Sequence, residues 1–211
     1  MKLFDFHHHN RENTYGIYNL EPKENIIDNF FSVGIHPKDI DKNWEENFET
    51  IKKKSLHPNC VAIGECGLDG LISVNENLQK EVFEKHILWA NQINKPVIIH
   101  CVKRFSEIIP FQKTAKIPLV IHGFNKKKTI ADEMLRHGFY LSFGKSVLHS
   151  LSLQSILKEF PLEKMFLETD DANFNIEELY QKTAEIKGIS IENLHNKILK
   201  NLESLPIKIK I

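Results

Sequence analysis

Short apolar runs alternate with longer amphipathic stretches along the chain, and this alternation predicts repeated strand–helix units around a parallel sheet. The apolar runs 97–99 and 119–121 are continuous, without a polar residue, as expected for strands covered on both faces. The runs that predict strands span residues 3–6, 15–19, 30–35, 61–63, 97–99, 119–121, 139–142 and 165–167.

The amphipathic stretches predict helices over residues 43–54, 75–93, 106–113, 127–137, 150–159, 176–187 and 191–202. Residues 10–14 separate the first two strands and residues 20–29 the next two, and neither gap holds a crossover helix of ordinary length. Eight strands with intervening helices predict an α/β fold, the (β/α)₈ TIM barrel, with shortened first crossovers. Such barrels typically need about 250 residues and at least about 200. We therefore expect a single domain over residues 1–211.

Composition narrows the class of protein. The chain has 28 Lys and Arg against 28 Asp and Glu, so its formal net charge is zero. A neutral chain disfavours a broad basic surface for nucleic acid, but it leaves room for a local site where metal ions supply positive charge. No apolar run reaches the ~18–20 residues that span a bilayer. The three Cys form no CxxC pair, which favours the reducing cytoplasm. No membrane and no obligate protein partner is expected, and residues 208–211 are expected to be a frayed end.

Histidine and carboxylate residues end six of the eight predicted strands. In a TIM barrel the carboxyl ends of the strands gather at one rim, where reactive side chains lie. Burying so many imidazoles and carboxylates together is costly unless something compensates them. A divalent metal compensates them by accepting imidazole nitrogens and carboxylate oxygens. The strand-end residues are His7, His8, His9, His36, Glu65, His100, His122, Glu168 and Asp170.

The His7–His8–His9 run is sorted by the alternation of side chains along a strand. His7 and His9 share a face and can converge on one site, whereas His8 points away and is a surface or packing residue. Asp5 has the same parity as His7. It either orients one of the imidazoles or is a buried carboxylate with hydrogen bonds of its own.

The order and spacing of six segments resemble those of the TatD family of metal-dependent deoxyribonucleases. The segments read DFHHH at 5–9, GIHP at 34–37, GECGLD at 64–69, VIIH at 97–100, IHGF at 121–124 and ETD at 168–170. Each segment alone is weakly specific, but six in order are strong. The resemblance implies a TIM barrel of the amidohydrolase type that hydrolyses DNA phosphodiesters at a two-metal centre.

The resemblance also implies which residues hold the two divalent ions, which could be Mg, Mn or Zn. The first ion would be held by His7, His9, Glu65 and Asp170. Glu65 would bridge to the second ion, which His100 and His122 complete. Glu65 and Asp170 are the expected catalytic residues, with Asp170 as the general base. Asp69 and Glu168 are expected to support the ligands.

The resemblance also suggests residues that contact the substrate, and here the chain departs from the usual family pattern. His36 is expected to contact a substrate phosphate, or else to make the turn before Pro37 rigid. Family members often carry Arg two residues after the fifth-strand His. This chain has no Arg there, but Lys103 or Arg104, just beyond that position, could take its place. Lys126 begins a basic cluster after the sixth strand. The segment 171–175 lacks the Pro-containing, basic continuation that is usual in the family.

The sequence alone therefore leaves three functions open. The first is a metal-dependent hydrolase of ester bonds, a deoxyribonuclease that holds DNA or another phosphodiester locally. The second is an amidohydrolase-type enzyme that acts on a small amide, ester or nucleobase. The residue at the end of the fourth strand is Glu65 and not Lys, which disfavours the amidohydrolases that bridge their metals with a carboxylated lysine. The third is a metal-binding protein with an adaptor role, which the complete ligand set disfavours.

Overall fold

Eight parallel strands, paired in chain order from β1 to β8, form the sheet of the computed structural model, which describes residues 1–207. The tail 208–211, expected to be frayed, lies outside the described residues. The strands are β1 Asp5–His8, β2 Gly16–Leu20, β3 Phe31–Val33, β4 Cys60–Asp69, β5 Val97–Val102, β6 Leu119–Ile121, β7 Tyr140–Phe143 and β8 Met165–Leu167. Each of the eight overlaps a predicted strand, and the TIM-barrel prediction is confirmed.

Helices lie between the later strands and after β8. They are α1 Trp44–Ser55, α2 Glu76–Ile93, α3 Phe105–Ile108, α4 Lys128–Arg136, α5 Leu151–Glu159, α6 Ile176–Lys187 and α7 Ile191–Ser204. Single turns of 3₁₀-helix span Pro37–Asp39, Ile109–Lys113, Lys145–Leu148 and Leu162–Lys164. In the described chain no helix connects β1 to β2 or β2 to β3, so the shortened first crossovers are confirmed. The single-domain organisation stays a prediction.

Strand β4 is much longer than predicted. Its second half contains glycine and polar residues, which in the sequence are typical of a loop. Gly67 has φ +148°, a conformation that L side chains rarely adopt, and it pairs directly with His100 of β5. A Cβ at Gly67 would collide with the carbonyl oxygen of His100. Glycine therefore lets β4 continue against β5 and carries both Glu65 and Asp69 to the rim on one strand.

The seam between β8 and β1 is closed by backbone hydrogen bonds just beyond the ends of both strands. The amide of Asp170 donates to the His7 carbonyl at 2.9 Å, and the amide of His9 donates to the Asp170 carbonyl at 3.1 Å. Asp170 has φ +56°, in the left-handed region that non-glycine residues seldom enter. The two hydrogen bonds hold this backbone conformation and fix Asp170 beside His7 and His9.

Asp5 supports the same seam from below. Its Oδ1 accepts from the Thr169 amide at 2.9 Å, and its Oδ2 accepts from the Thr169 hydroxyl at 2.6 Å and from Asn13 Nδ2 at 3.2 Å. Burial raises the pKa of Asp5 to about 7, although the bonds from Thr169 oppose this. Of the two interpretations offered by the sequence, the buried carboxylate with hydrogen bonds of its own is the one observed.

No helix within residues 1–207 is both long and apolar enough to cross a membrane.

His86 connects the helix layer to the end of β3. Its Nε2 accepts from the Ile35 amide at 3.1 Å, which requires the proton on Nδ1, and Nδ1 donates to the Val82 carbonyl at 2.8 Å. The ring is completely buried. Burial lowers the pKa of His86 from 6.5 to about 4, since a charged ring would be desolvated and could no longer accept from Ile35. This pair of bonds fixes the chain immediately before His36.

Protonation of His86 should destabilise the fold in acid. Because the folded-state pKa lies below the unfolded-state value, the stabilisation is complete above pH 6.5 and is lost as pH falls toward 4. At about 1.4 kcal/mol per pH unit, the loss is about 3 kcal/mol. Urea unfolding of His86→Gln, which keeps an acceptor for Ile35 but does not titrate, should show a pH dependence that is weaker by this amount. Equal pH dependence in both proteins would contradict the assignment.

Candidate metal centre

Glu65 lies at the centre of the carboxyl-terminal rim, with only 6% of its surface exposed. Its backbone amide donates to Asn19 Oδ1 of β2 at 3.1 Å, which fixes the residue from the neighbouring side of the barrel. Its two carboxylate oxygens face different groups of imidazoles. Oε1 lies 2.8 Å from both His100 Nδ1 and His122 Nε2. Oε2 faces His7 of β1 and His9, which follows the end of β1.

The second group of side chains surrounds Glu65 Oε2 and Asp170. Nε2 of His7 lies 3.6 Å from Glu65 Oε2 and 3.7 Å from Asp170 Oδ1. Nε2 of His9 lies 3.9 Å from Glu65 Oε2 and 3.5 Å from Asp170 Oδ1. The fold thus brings all six side chains named as metal ligands by the sequence to one place. Their ligand atoms form overlapping groups of metal-binding dimensions, His7–Glu65–His122, His7–His9–Asp170 and His36–Glu65–His100 among them.

Two further carboxylates face the ring nitrogens of His100 and His122 that point away from Glu65. His100 Nε2 lies 3.1 Å from Asp69 Oδ2, and in the tautomer in which Nε2 donates to that oxygen the lone pair of Nδ1 is available to a metal ion. His122 Nδ1 lies 3.5 Å from Glu168 Oε1, and the amide of Gly123 holds that oxygen with a 2.5 Å hydrogen bond. Carboxylates in this relation fix the tautomer and the orientation of a metal-binding histidine.

The surroundings of His7 show that this set of side chains fits divalent metal ions. Its ring is fully buried, yet neither ring nitrogen has a hydrogen-bond partner among residues 1–207. A buried imidazole without a partner costs free energy, and a metal bound at Nε2 removes that cost. Imidazole nitrogens combined with carboxylate oxygens are ligands that Zn²⁺ and Mn²⁺ accept readily, whereas Mg²⁺ prefers the oxygens.

The charges of the centre are strongly coupled. Burial alone would raise the pKa of the Glu65 carboxyl, but His122 and His100 hold it well below its ordinary range. Burial would likewise lower the pKa of His122, and Glu65 together with Glu168 raises it well above its ordinary value. Cations are therefore favoured at this point of the rim, and either protons or metal ions can supply the positive charge.

His8 is a packing residue, and the surface alternative is wrong. The ring is fully buried, faces Tyr18 at 5.9 Å between ring centroids, and would contact any Cβ placed at Gly16. Burial, followed by the nearby His7, lowers the pKa of His8 to about 4, so the ring is neutral. The strand parity correctly predicts that His8 points away from His7, but the outside of β1 is covered.

The four residues proposed for substrate binding have different surroundings. His36 Nδ1 accepts from the Lys38 amide at 3.0 Å, so the proton is on Nε2, which lies 3.5 Å from Glu65 Oε1 and 3.2 Å from His100 Nδ1. A protonated Nε2 is a hydrogen-bond donor at the edge of the centre. Arg104 pairs with Glu76 at 2.8 Å and with Glu107 at 2.7 Å, and both ion pairs are made by its Nη1.

The two lysines are less engaged than Arg104. Lys103 is exposed and has φ +55°, which sets it apart from the strand that it follows. Lys126 is half-buried and near Cys101, whose pKa burial raises to about 12, with Lys126 among the groups that oppose this. Of the proposed cations, Lys103 and Lys126 are thus the available ones.

Two supporting residues are missed by the sequence analysis, namely Asn19 and Thr169. Asn19 holds the Glu65 amide, and Thr169 donates twice to Asp5. The signal for Asn19 is a polar residue inside the otherwise apolar strand GIYNL, where an unpaired amide would be costly. Thr169 carries no such signal, because its role depends on the contact between the first and the last strand.

The family of this chain follows from a comparison with known proteins. The sequence model described as "TatD related DNase" matches residues 10–205, which is nearly the whole chain. The chain belongs to the TatD related DNase family.

Individual relatives agree with this assignment. A protein of Bacillus subtilis named "Uncharacterized metal-dependent hydrolase YabD" is 33% identical over 147 residues, 67% of this chain and 58% of the relative. The "3'-5' ssDNA/RNA exonuclease TatD" of Edwardsiella piscicida is 31% identical over 147 residues, 66% of this chain and 56% of the relative. The chain thus matches less than two thirds of the length of either relative.

Solved structures share the fold. YjjV, a TatD homolog from Escherichia coli, superposes with a TM-score of 0.76 at 18% identity, over 86% of this chain and 77% of YjjV. A TatD family hydrolase from Entamoeba histolytica gives a TM-score of 0.69 at 19% identity, over 81% of this chain and 73% of its own.

Removing the carboxylate behind His100 should weaken metal binding. In Asp69→Asn the side-chain oxygen is held by the Leu71 amide, so the side-chain nitrogen faces His100 Nε2 and cannot accept from it, and the ring loses the partner that fixes its tautomer. We expect the affinity for Mn²⁺, measured by isothermal titration calorimetry, to fall about 10–100-fold. Asp132→Asn, on the exposed face of α4, is the matched control and should bind as the wild type does. Equal affinity for both variants would contradict the orienting role of Asp69.

Proposed function

We propose that this chain is a metal-dependent hydrolase that cleaves phosphodiester bonds of DNA with two divalent metal ions. The observation that carries the proposal is the orientation of the Glu65 carboxylate. Its Oε1 faces His100 and His122, and its Oε2 faces His7 and His9. A carboxylate that faces two ligand groups with its two oxygens has the form of a bridge between neighbouring cations. Membership of the TatD related DNase family supports the choice of substrate.

The ligands are assigned as two sets that share Glu65. One ion would be held by His7, His9, Glu65 and Asp170, and the other by Glu65, His100 and His122. When bound, the ions neutralise phosphate charge and lower the pKa of a water molecule that attacks phosphorus. Mg²⁺, Mn²⁺ and Zn²⁺ remain the candidate ions, because imidazoles and carboxylates serve all three to different degrees.

Asp170 is assigned as the general base. A third of its side chain, 34%, is exposed, so a water molecule from the substrate side can reach it. Burial raises the pKa of its carboxyl, which increases its affinity for the proton that the attacking water releases. The two hydrogen bonds of the seam hold its backbone, so the carboxylate keeps its position during this transfer.

Contacts with the phosphate are assigned to the available donors around the centre. His36 Nε2–H can donate to a non-bridging oxygen, and its ring is neutral at pH 7 because burial lowers its pKa to about 4. Lys103 and Lys126 supply charge from the loops after β5 and β6. Arg104 contributes indirectly. Its ion pairs with Glu76 and Glu107 hold the loop that carries the neighbouring Lys103.

The alternative is a hydrolase of the same type that acts on a small amide, ester or nucleobase, since the ligand set does not by itself choose phosphorus over carbon. A cytoplasmic location is part of the proposal. Its support is that Cys60, Cys66 and Cys101 are free and buried, as is usual for proteins of reducing compartments.

Hydrolysis of labelled single-stranded DNA tests the proposal. With Mn²⁺ or Mg²⁺ the protein should shorten the strand, and EDTA should stop the reaction. Asp170→Asn keeps the shape but cannot accept a proton, so its rate should fall by about 10²-fold or more. Glu65→Gln should lose activity as well, because a neutral amide cannot join two cations.

The controls separate the alternatives. Asp132→Asn should retain the wild-type rate, and thermal unfolding should show that all the variants are folded. If DNA stays intact while a panel of esters and amides is hydrolysed with the same dependence on Asp170, the small-molecule alternative is correct. Hydrolysis of DNA that survives both EDTA and Asp170→Asn would be incompatible with the proposed centre.

A further inference from the structure

The second half of β4 has an open edge on the side of β3. Strand β3 ends at Val33, which pairs with Ile63, and among residues 1–207 no other strand accompanies β4 on that side. On its other side β4 stays paired with β5 as far as Asp69, which lies opposite Val102. Because this part of β4 is buried, the backbone N–H and C=O groups at the open edge require other hydrogen-bond partners.

Gln79, in the first turn of α2, supplies these partners at Asp69. Its Oε1 accepts from the Asp69 amide at 2.8 Å, and its Nε2 donates to the Asp69 carbonyl at 3.1 Å. The amide of Gly70 donates to the Val102 carbonyl at 2.9 Å, so β5 is bonded by the next residue while the backbone of Asp69 faces Gln79. The side-chain amide of Gln79 thus takes the place of a peptide from a neighbouring strand.

The same side chain holds the chain that leads into α2. Nε2 of Gln79 also donates to the Val74 carbonyl at 2.9 Å, immediately before the helix cap at Asn75. Gln79 is only 3% exposed, and both donors and the acceptor of its amide are engaged. A buried polar group whose partners are all present keeps one orientation. Gln79 therefore fixes the end of β4 relative to the beginning of α2.

Asp69 transmits this fixed position to the metal centre. Its Oδ1 accepts from the Leu71 amide at 2.8 Å, and its Oδ2 lies 3.1 Å from His100 Nε2. With the backbone held by Gln79 and one carboxylate oxygen held by Leu71, the other oxygen has a defined place opposite the imidazole. A carboxylate in that place orients a metal-binding histidine and strengthens its bond to the metal.

We propose that Gln79 is a positioning residue for the second metal ion, the one assigned to Glu65, His100 and His122. Its hydrogen bonds go to Asp69 and Val74, so it reaches His100 through Asp69. The inference rests on the two-ion centre proposed above and adds that the affinity for one of the two ions depends on helix α2.

The first ion depends on other contacts. His7, His9 and Asp170 are positioned by the β8–β1 seam, and β2 and β3 lie between this seam and β4. Loss of Gln79 should therefore weaken the binding of the second ion and leave the binding of the first ion close to that of the wild type. A general loss of structure would weaken both.

The test is calorimetric titration of metal-depleted protein with Mn²⁺. Gln79→Met keeps the approximate length of the side chain and removes its three hydrogen bonds. We expect the affinity for the second ion to fall about tenfold, with the first ion unchanged within about twofold. At two equivalents of Mn²⁺ the electron paramagnetic resonance signal of the coupled pair should be weaker than in the wild type, and excess Mn²⁺ should restore it.

Gln154→Met is the matched control. Gln154 is a half-buried residue of α5 whose Nε2 donates to the Val147 carbonyl at 2.8 Å, so the same substitution removes a similar bond between a helix and a loop. It should bind both ions as the wild type does. Thermal unfolding in EDTA shows whether each variant is folded before metal is added.

A double-mutant cycle with Asp69→Asn tests whether Gln79 acts through Asp69. In the Asp69→Asn background the carboxylate that orients His100 is already absent, so Gln79→Met should change the affinity for the second ion by less than about twofold. A further tenfold loss in that background would show that Gln79 acts by another route, and would overturn the inference.

Gln79→Glu serves if Gln79→Met does not fold. At pH 8 its carboxylate keeps an acceptor for the Asp69 amide but cannot donate to the carbonyls of Asp69 and Val74. Its negative charge would by itself favour cations, so weaker binding of the second ion reports the loss of positioning. Equal or tighter binding of that ion would overturn the inference.

The failure of this inference is distinguishable from the failure of the proposed function. If the wild type binds fewer than two Mn²⁺ ions, the two-ion centre fails and this inference fails with it. If the wild type binds two ions and Gln79→Met binds both equally well, or loses both to the same extent, the centre stands and the inference is overturned. Because the readout is metal affinity, the result does not depend on whether DNA is the substrate.

Discussion

The site and much of the fold depend on one buried carboxylate surrounded by imidazoles. Glu65 is 6% exposed, and five histidine rings lie within 4 Å of its oxygens: His7, His9, His36, His100 and His122. An ionised carboxylate cannot be buried without partners, because the loss of hydration costs several kcal/mol. The partners come from the ends of β1, β3, β5 and β6, so the compensation of this one charge requires four strands to meet at a common rim.

Closure of the barrel and assembly of the centre are the same event at the β8–β1 seam. The backbone of Asp170 exchanges hydrogen bonds with His7 and His9, and its carboxylate faces the imidazoles of these two residues. Asp5 holds the neighbouring Thr169 from the other side. The left-handed φ of Asp170 is therefore a local cost that the seam compensates, and such residues are typical of functional sites.

The regular part of this molecule follows from the sequence because it depends on local patterns. Leu119–Ile121 and Met165–Leu167 are predicted to the residue, since each is a short apolar run with clear boundaries. The meeting of the candidate ligand residues at one rim also follows, because equivalent positions at the ends of parallel strands meet in space. Sequence periodicity fails in β4, where Gly67 lets a polar segment pair with β5, and that pairing depends on a distant backbone.

Contacts between distant parts of the chain account for the other differences. The burial of His8 depends on Gly16 and Tyr18, and the ion pairs of Arg104 depend on the first turn of α2. The tautomer of His36 depends on a turn whose geometry is fixed by His86 from another helix. None of these contacts has a signature in local hydropathy. They decide which side chains around the centre are left without ion-pair partners, whereas the pattern of strand ends decides where the centre lies.

Glu65 joins the two ligand groups, so the number of bound ions tests this account most directly. Metal-depleted protein should be titrated with Mn²⁺, with the stoichiometry taken from calorimetry and the coupling between ions from electron paramagnetic resonance. We expect two Mn²⁺ per chain with the signal of a coupled pair, and loss of the coupling in Glu65→Gln. One ion or none per chain in the wild type, or two ions that stay uncoupled, would contradict the role of Glu65 as the bridge.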